Sequence, residues 1–354
     1  MADWLASMQQ SYEFYAVDPV TWLDRERLMN VKSCKIERDI DAETLGSASI
    51  SMTELIGELY IRVYLVTIQN GIRERHPLGT FLIQTPTSSF DGKIRDVNVD
   101  AYTPLLELKE KIPPLGYSVL KGEKIIDRAY RVARENVRAP VVHTLMTSTA
   151  TLYTDFVANV DDTWLRFLTD LIANAECKFD LDPMGNIMFA PIQETASLQP
   201  VWTYNDDNSS ILLPSLNMTH DLYNVPNVVE VIYSDDNNNL YAKVVNDDPD
   251  SPTSTVNRGR EIVYRVTDPS RVGIPTEKYI YEYAERLLKE LSSVDYTITY
   301  THGYCPVRIG DCVRLNYTRA GLQGIKAKVI SQTIDCVAGC KVTETAVFTA
   351  KLWR

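Results

Sequence analysis

Residues 59–65 read Leu-Tyr-Ile-Arg-Val-Tyr-Leu, and this stretch decides the fold class. Leu59, Ile61, Val63 and Leu65 fall on one face and Tyr60, Arg62 and Tyr64 on the other, which is the period of a strand and not of a helix. A strand carrying two tyrosines beside one arginine on its second face is half or wholly covered. Upstream, Ala48, Ile50 and Met52 alternate with Ser47, Ser49 and Ser51. Downstream, Phe81 and Ile83 follow a turn expected at Pro77–Gly79, and Val97, Val99 and Ala101 alternate with polar residues after Asp91-Gly92. Short strands separated by turn residues at this spacing predict a sandwich or small barrel over 21–103, preceded by an N-terminal segment at 1–20.

Pro104 opens a change of period, and 104–214 reads as a small α/β insert with its return connection. Ile125, Ile126, Ala129, Tyr130 and Ala133 form one stripe of a helix within 122–137. A second helix is signalled by Asp161-Asp162 ahead of Trp164, Leu165, Leu168, Leu171 and Ile172, acidic side chains being favourable at a helix N-terminus. Phe179 and Leu181, the turn 182–186, then Ile187 and Phe189 predict a β-hairpin facing that helix. After polar residues at 205–210, a second β block fills 215–354. Its expected strands are 228–233, 241–245, 261–266, 296–300, 312–317, 325–334 and 345–352. Polar loops are expected at 234–239 and 246–259, and a helix at 276–292, capped by Thr276 after Pro275, is inserted between strands. The fold class is therefore mainly β with α/β insertions: two barrel-like blocks related in architecture only, since no long repeat is detectable residue by residue.

Composition narrows the function. A formal net charge of −11 disfavours a general grip on nucleic acid, which needs clustered Lys and Arg to displace counterions. Tyr is used 20 times against 8 Phe, suiting strands and interfaces where one end of a ring is buried and the other wet. The first residues show no basic segment followed by an apolar run, and no window approaches the roughly 20 apolar residues of a membrane span. Folding in a cytoplasm, with no stable membrane insertion, is expected. In that compartment the six cysteines read as buried thiols.

Candidate chemistry is sparse. Cys305, Cys312, Cys336 and Cys340 invite a zinc reading, but their spacings lack the paired short knuckles of a ribbon; free thiols, a disulfide and a metal site stay open. Cys336 and Cys340 flank Val337-Ala338-Gly339, a hairpin tip, and could close on each other if oxidised. His302 lies near Cys305 without an activating signature, and His76, His143, His220 and His302 show no metal-ligand spacing. Asp161-Asp162 reads as helix capping, Asp206-Asp207 and Asp247-Asp248 as solvated loops, and 116–124 lacks the ending of a phosphate loop. No catalytic, cofactor-binding or metal-ligating residue is assigned, no cofactor is implied, and the chain is not expected to be an enzyme.

The C-terminal portion is specific enough to compare. A helix ending Ala284-Glu285-Arg286-Leu287-Leu288-Lys289-Glu290-Leu291 is followed by a strand at 296–301. Then come Pro306-Val307-Arg308-Ile309-Gly310-Asp311-Cys312-Val313-Arg314-Leu315 and Gly324-Ile325-Lys326-Ala327-Lys328-Val329-Ile330. This order resembles the tail-hub, or baseplate-hub, proteins of long-tailed bacteriophages and their prophage relatives. Gly310-Asp311 feeding Cys312–Leu315 matches that family's Gly-Asp-x-Val step, and the resemblance runs from about Trp22 onward. It implies a homotrimeric ring with two related β-barrel domains per chain, joining a six-fold tail tube to a three-fold tip or spike. Its implied partners are tail-tube or distal tail proteins, a tip or spike protein and a tape-measure protein, in a virion tail assembled in the host cytoplasm. DNA would pass through the ring without specific binding, and an acidic lumen would keep it from sticking. Two rivals are a tail-associated cell-wall hydrolase, which in this family carries an added C-terminal domain, and a carbohydrate-binding β module.

Overall fold

The computed structural model describes residues 2–54, 57–93, 95–144, 148–207, 210–223, 225–234, 239–267 and 276–353. Pro275, Asn208, Ser209 and most of the expected loop at 234–239 lie outside the described residues. About 47% of the chain is strand and 15% helix, so the protein is mainly β as the alternation predicts.

Two compact units are present: 1–216 with 300–345, and 217–299 with 346–354. This division by contacts cuts the chain differently from the sequence boundaries at 20/21, 103/104 and 214/215. The first unit contains the first β block, the insert and the central part of the last block.

The first unit opens with β1 (Gln9–Val17), β2 (Asp24–Leu28), β3 (Val31–Asp39), β4 (Gly46–Met52), β5 (Tyr60–Gln69), β6 (Ile72–Phe90) and β7 (Arg95–Tyr102). The insert supplies α1 (Leu106–Glu110), β8 (Ser118–Val119), α2 (Ile125–Asn136), β9 (Phe156–Val157), α3 (Trp164–Ala173), β10 (Cys177–Leu181) and β11 (Ile187–Pro191), and β12 (Trp202–Asn205) and β13 (Leu212–His220) follow. The second unit holds β14 (Val228–Ser234), β15 (Asn239–Val245), α4 (Thr255–Arg258), β16 (Val263–Thr267) and α5 (Glu277–Leu291). β17 (Ser293–Gly303), β18 (Cys312–Tyr317), β19 (Leu322–Asp335) and β20 (Lys341–Lys351) complete the chain.

The decisive stretch is the centre of the first unit. β5 pairs antiparallel with β1 on one side and β6 on the other, and Tyr60 to Thr67 are all buried. Ile61, Val63 and Leu65 join Ile36, Ile50, Met52, Phe81, Val97 and Val99 in one core, while Tyr60 points into a second core built with the insert. Each such side chain removed from water contributes about 1.5–3 kcal/mol, which is why strict alternation fixes the register here. The expected turn at Pro77–Gly79 is instead a bulge inside the continuous strand β6, with a register shift opposite Val63/Tyr64. The hairpin turn is Asn70-Gly71, with φ of 52° and 77°, the left-handed pair that a two-residue connection demands.

The ladder order is β13-β17-β20-β19-β3-β4-β7-β6-β5-β1-β2, with β12 and β18 branching from β19. Two separately closed barrels are therefore not what the ladder shows. The cause is the length of β19: Leu322–Lys328 pairs with β18, and Ser331–Asp335 pairs with β3, fusing the last block to the first. In the insert, α2 buries Ile125, Ile126, Ala129, Tyr130, Val132 and Ala133 against α3 and the β10–β11 hairpin.

In the second unit, β14 pairs antiparallel with β15 and parallel with β16. α5 lays Ile280, Ala284 and Leu288 on Val229, Val231, Ala242 and Val244. Thr276 caps α5 as expected, its hydroxyl accepting from the Tyr279 N–H at 3.2 Å.

Candidate functional site

Charged and polar side chains buried inside the first unit hold its parts together. Arg62, 1% exposed, comes from the polar face of β5. Its guanidinium donates to Asp24 Oδ1 at 2.7 Å, Thr80 Oγ1 at 2.9 Å, and the carbonyls of Trp22 at 3.3 Å and Met184 at 3.0 Å. Met184 belongs to the β10–β11 turn, so one side chain ties the β block to the insert. Trp22 Nε1 donates to the same Met184 carbonyl at 2.8 Å. Gly185, with φ of +80°, completes the joint: a Cβ there would lie 2.8 Å from Thr80 Cβ and 3.1 Å from Trp22 Cζ2. A second tie runs from Tyr60 Oη to Glu107 at 2.8 Å, with Arg138 donating to the same carboxylate from its backbone at 2.7 Å and from its side chain.

The second cluster surrounds Glu344 on β20. Tyr300 Oη donates to Oε2 at 2.7 Å, Tyr204 Oη to Oε2 at 3.1 Å and Gln332 Nε2 to Oε1 at 2.5 Å, while His302 Nε2 lies 3.3 Å from Oε1. His302 Nδ1 is 2.6 Å from the Gly303 carbonyl, so both ring nitrogens face acceptors. Burial alone would lower the imidazole, but hydrogen bonding to Cys305 and the Glu344 carboxylate raises it to about 10. Burial would likewise raise Glu344, yet hydrogen bonds from His302, Tyr300 and Gln332 pull it below its ordinary value. Both side chains of the His302–Glu344 ion pair are fully buried. This is a structural knot joining β12, β17, β19 and β20.

The other residues singled out from sequence are dispersed. All six cysteines are buried free thiols. Cys305 Sγ is 3.2 Å from Tyr204 Oη, and Cys312 Sγ faces its neighbour's carbonyl. The Cys336 backbone N–H donates to the Cys34 carbonyl at 3.0 Å, and the Cys340 N–H to the Val337 carbonyl at 3.0 Å. Among the described residues no group of three His, Cys, Asp or Glu is arranged to hold a metal. His76 meets Thr67 Oγ1 at 3.0 Å and the Trp4 ring, and His143 lies on the Tyr130 ring at 3.8 Å. In the second unit, His220 stacks on Tyr296, which stacks on Phe348. The helix α3 is capped by Thr163 and not by the acidic pair, because Asp162 turns back to accept from the Asn159 backbone at 2.7 Å. Asp206 is also more engaged than a solvated loop residue, accepting from Thr318 at 3.0 Å and pairing with Arg319.

What the molecule offers outward is edges and apolar patches. β2 ends the ladder with β1 as its partner, and β13 ends it with β17. Most of both strands is solvent-exposed, the arrangement in which unpaired N–H and C=O groups template pairing with another chain. Val20, Leu23 and Met29, at 89%, 66% and 79% exposure, flank β2. A second patch collects Leu115, Leu120, Tyr153, Val157 and Val160 around the β8–β9 ladder of the insert. Sequence reading missed all of these. Val20 and Leu23 beside Asp24-Arg25-Glu26-Arg27 are apolar residues at a charged strand, which is the signal available. No helix among the described residues is long and apolar enough to cross a membrane.

An end-to-end match settles which fold this is. A tail protein from Neisseria meningitidis MC58 superposes with a TM-score of 0.59 at 14% identity, over 97% of this chain and 98% of that one. The chain has the fold of phage tail-hub proteins. A 43 kDa tail protein of prophage MuSo2 from Shewanella oneidensis agrees, with a TM-score of 0.58 at 12% identity over 95% and 98% of the two chains. A chain of the Francisella PdpA-VgrG complex gives 0.56 at 10% identity, over 96% of this chain and 58% of that one. No family model and no curated protein matches by sequence. At the level of fold the resemblance read from 284–330 is borne out.

Proposed function

We propose that the protein is a structural component of a phage tail, the central hub of a tail tip or baseplate. The observation that carries this reading is the end-to-end likeness to tail proteins. Three copies assemble into a ring whose two β regions per chain, the β3–β7 block and the β17–β20 block, present six quasi-equivalent surfaces. Such a ring joins a six-fold tail tube and its distal or tape-measure proteins to a three-fold tip or spike. The two exposed ladder ends, β2 and β13, support assembly through strand edges, since pairing between copies would hide them. Each chain brings a formal charge of −11 to the ring, and carboxylates lining its channel would repel passing DNA. The knots around Glu344 and Arg62 rigidify the subunit and perform no chemistry.

Imaging the purified protein by negative stain tests the proposal. Rings with three-fold symmetry and a central hole are expected. Turnover of purified cell-wall material, or saturable sugar binding by isolated single chains, would replace the hub with one of its rivals.

A further inference from the structure

Arg38, on β3, is a cation whose counter-charge the chain does not supply. Its guanidinium donates to Gln332 Oε1 at 3.0 Å and to the Leu78 carbonyl, both neutral acceptors, and it makes no ion pair among the described residues. Two of its five N–H donors are used in this way and three remain. The carboxylate reached through Gln332, that of Glu344, is already committed to His302. Burial pulls the Arg38 guanidinium below its ordinary value, and the nearby charge of Arg308 adds to the pull. A charge withdrawn from water beside a like charge is costly unless an anion joins it.

There is space for one. Arg38 and Arg308 line the same partly open recess of about 50 Å³ inside the first unit, where β3, β6 and the β10–β11 turn meet residues 308–309. Two carboxylates also border the recess, and neither is paired with Arg38. Asp182 accepts the backbone N–H and the side-chain amide of Asn186 at 2.9 and 2.7 Å. Asp180 accepts the Leu181 N–H at 2.8 Å and faces Arg308 at 3.8 Å. Much of the remaining wall is apolar, with Leu45, Leu78, Phe81 and Ile309 in it.

These features select the ligand. A planar guanidinium matches a carboxylate in two-point pairing, and an apolar wall suits a short hydrocarbon tail better than a fully hydrated inorganic ion. At roughly 10–15 Å³ for each water-sized group, the recess takes about four non-hydrogen atoms, the size of acetate. We propose that this recess is a binding site for a small organic carboxylate, which pairs with Arg38 and is steadied by Arg308. Arg308 also donates to the Leu181 carbonyl of the β10–β11 hairpin at 3.2 Å, so the bound acid clamps the insert to the β block. The inference does not depend on the tail-hub reading.

The test titrates sodium acetate into the native protein at neutral pH, with sodium chloride holding the ionic strength constant, and follows melting by differential scanning fluorimetry. A saturable rise is expected, about 3 °C at ten times the half-saturating concentration. Arg38→Gln abolishes the rise, whereas Arg131→Gln, which removes an exposed arginine of α2, keeps it. No saturable rise, an equal rise in Arg38→Gln, or a larger rise with inorganic phosphate overturns the proposal. Should Arg38→Gln fail to fold, nuclear Overhauser contacts in the wild-type protein between the acetate methyl and the Phe81 ring or Leu45 methyls decide alone. Their presence places the carboxylate in the recess, and their absence at saturating acetate overturns the assignment.

Discussion

Replacing Glu344 by Gln is the sharpest perturbation of the first unit. Gln keeps the size but loses the charge that His302, Tyr300, Tyr204 and Gln332 all address. It also turns an NH₂ toward groups that donate, leaving a protonated imidazole without a counter-charge. Removing one partner of a fully buried pair costs about 3–5 kcal/mol. At roughly 2 °C per kcal/mol for a unit of this size, the melting temperature falls by about 6–10 °C near pH 6. The pH dependence carries a second signature. The folded His302 value, about 10, lies above its ordinary 6.5, so its stabilisation is complete below about pH 6.5 and fades as pH rises toward 10. For Glu344 the folded value lies below 4.5, so its stabilisation is present above that pH and is lost as pH falls through the folded value. The gap between wild type and Glu344→Gln is therefore widest between about pH 4.5 and 6.5 and narrows by pH 9.5. Differential scanning fluorimetry at pH 6 and 9.5 measures both. A variant melting within about 2 °C of wild type at pH 6, or a gap of equal size at both pH values, would refute the reasoning.

Three other outcomes are expected. Arg62→Met removes the cationic partner of Asp24 and one donor from the Trp22 and Met184 carbonyls, Asp24 keeping Tyr64 Oη and Met184 keeping Trp22 Nε1, and destabilises by about 2–4 kcal/mol, read from chemical denaturation; limited proteolysis should cut first within the insert. Gly185→Ala, at φ of +80° and 2.8 Å from Thr80, costs about 1–3 kcal/mol, whereas Gly92→Ala, with open space around it, costs less in the same assay. Thr276→Ala removes the cap of α5 and costs about 1 kcal/mol, a loss visible as faster amide exchange in the first turn of that helix while the β5 amides are unchanged.

Where burial follows from a local period, the sequence was legible. β4, β5 and β7, the helices α2, α3 and α5, and the β10–β11 hairpin all announce themselves through apolar spacing and turn residues. Pro77–Gly79 misled because a bulge and a turn use the same residue types, and only the continuing pairing with β5 separates them. Asn70-Gly71 is itself a hairpin signal, the residue pair that a two-residue connection with positive φ prefers. The merging of two β blocks through β19 could not be read locally, since it rests on Ser331–Asp335 finding Val31–Asp39 about 300 residues away in sequence. The same holds for β12, whose parallel pairing with β18 has no mark of its own. For the candidate site, the sequence places His302 three residues from Cys305 but carries no sign that Glu344, Tyr204, Tyr300 and Gln332 gather around that histidine. Nor does it mark the Cys336 backbone as the neighbour of Cys34, because residues opposed on a ladder share no sequence spacing.

The central claim is that three copies of this chain close into a hollow structural ring. Native mass measurement of the purified protein tests it most directly: a species of three times the 40.1 kDa chain mass is predicted at micromolar concentration. A single chain at every concentration tried, or an assembly whose copy number is not a multiple of three, would contradict it.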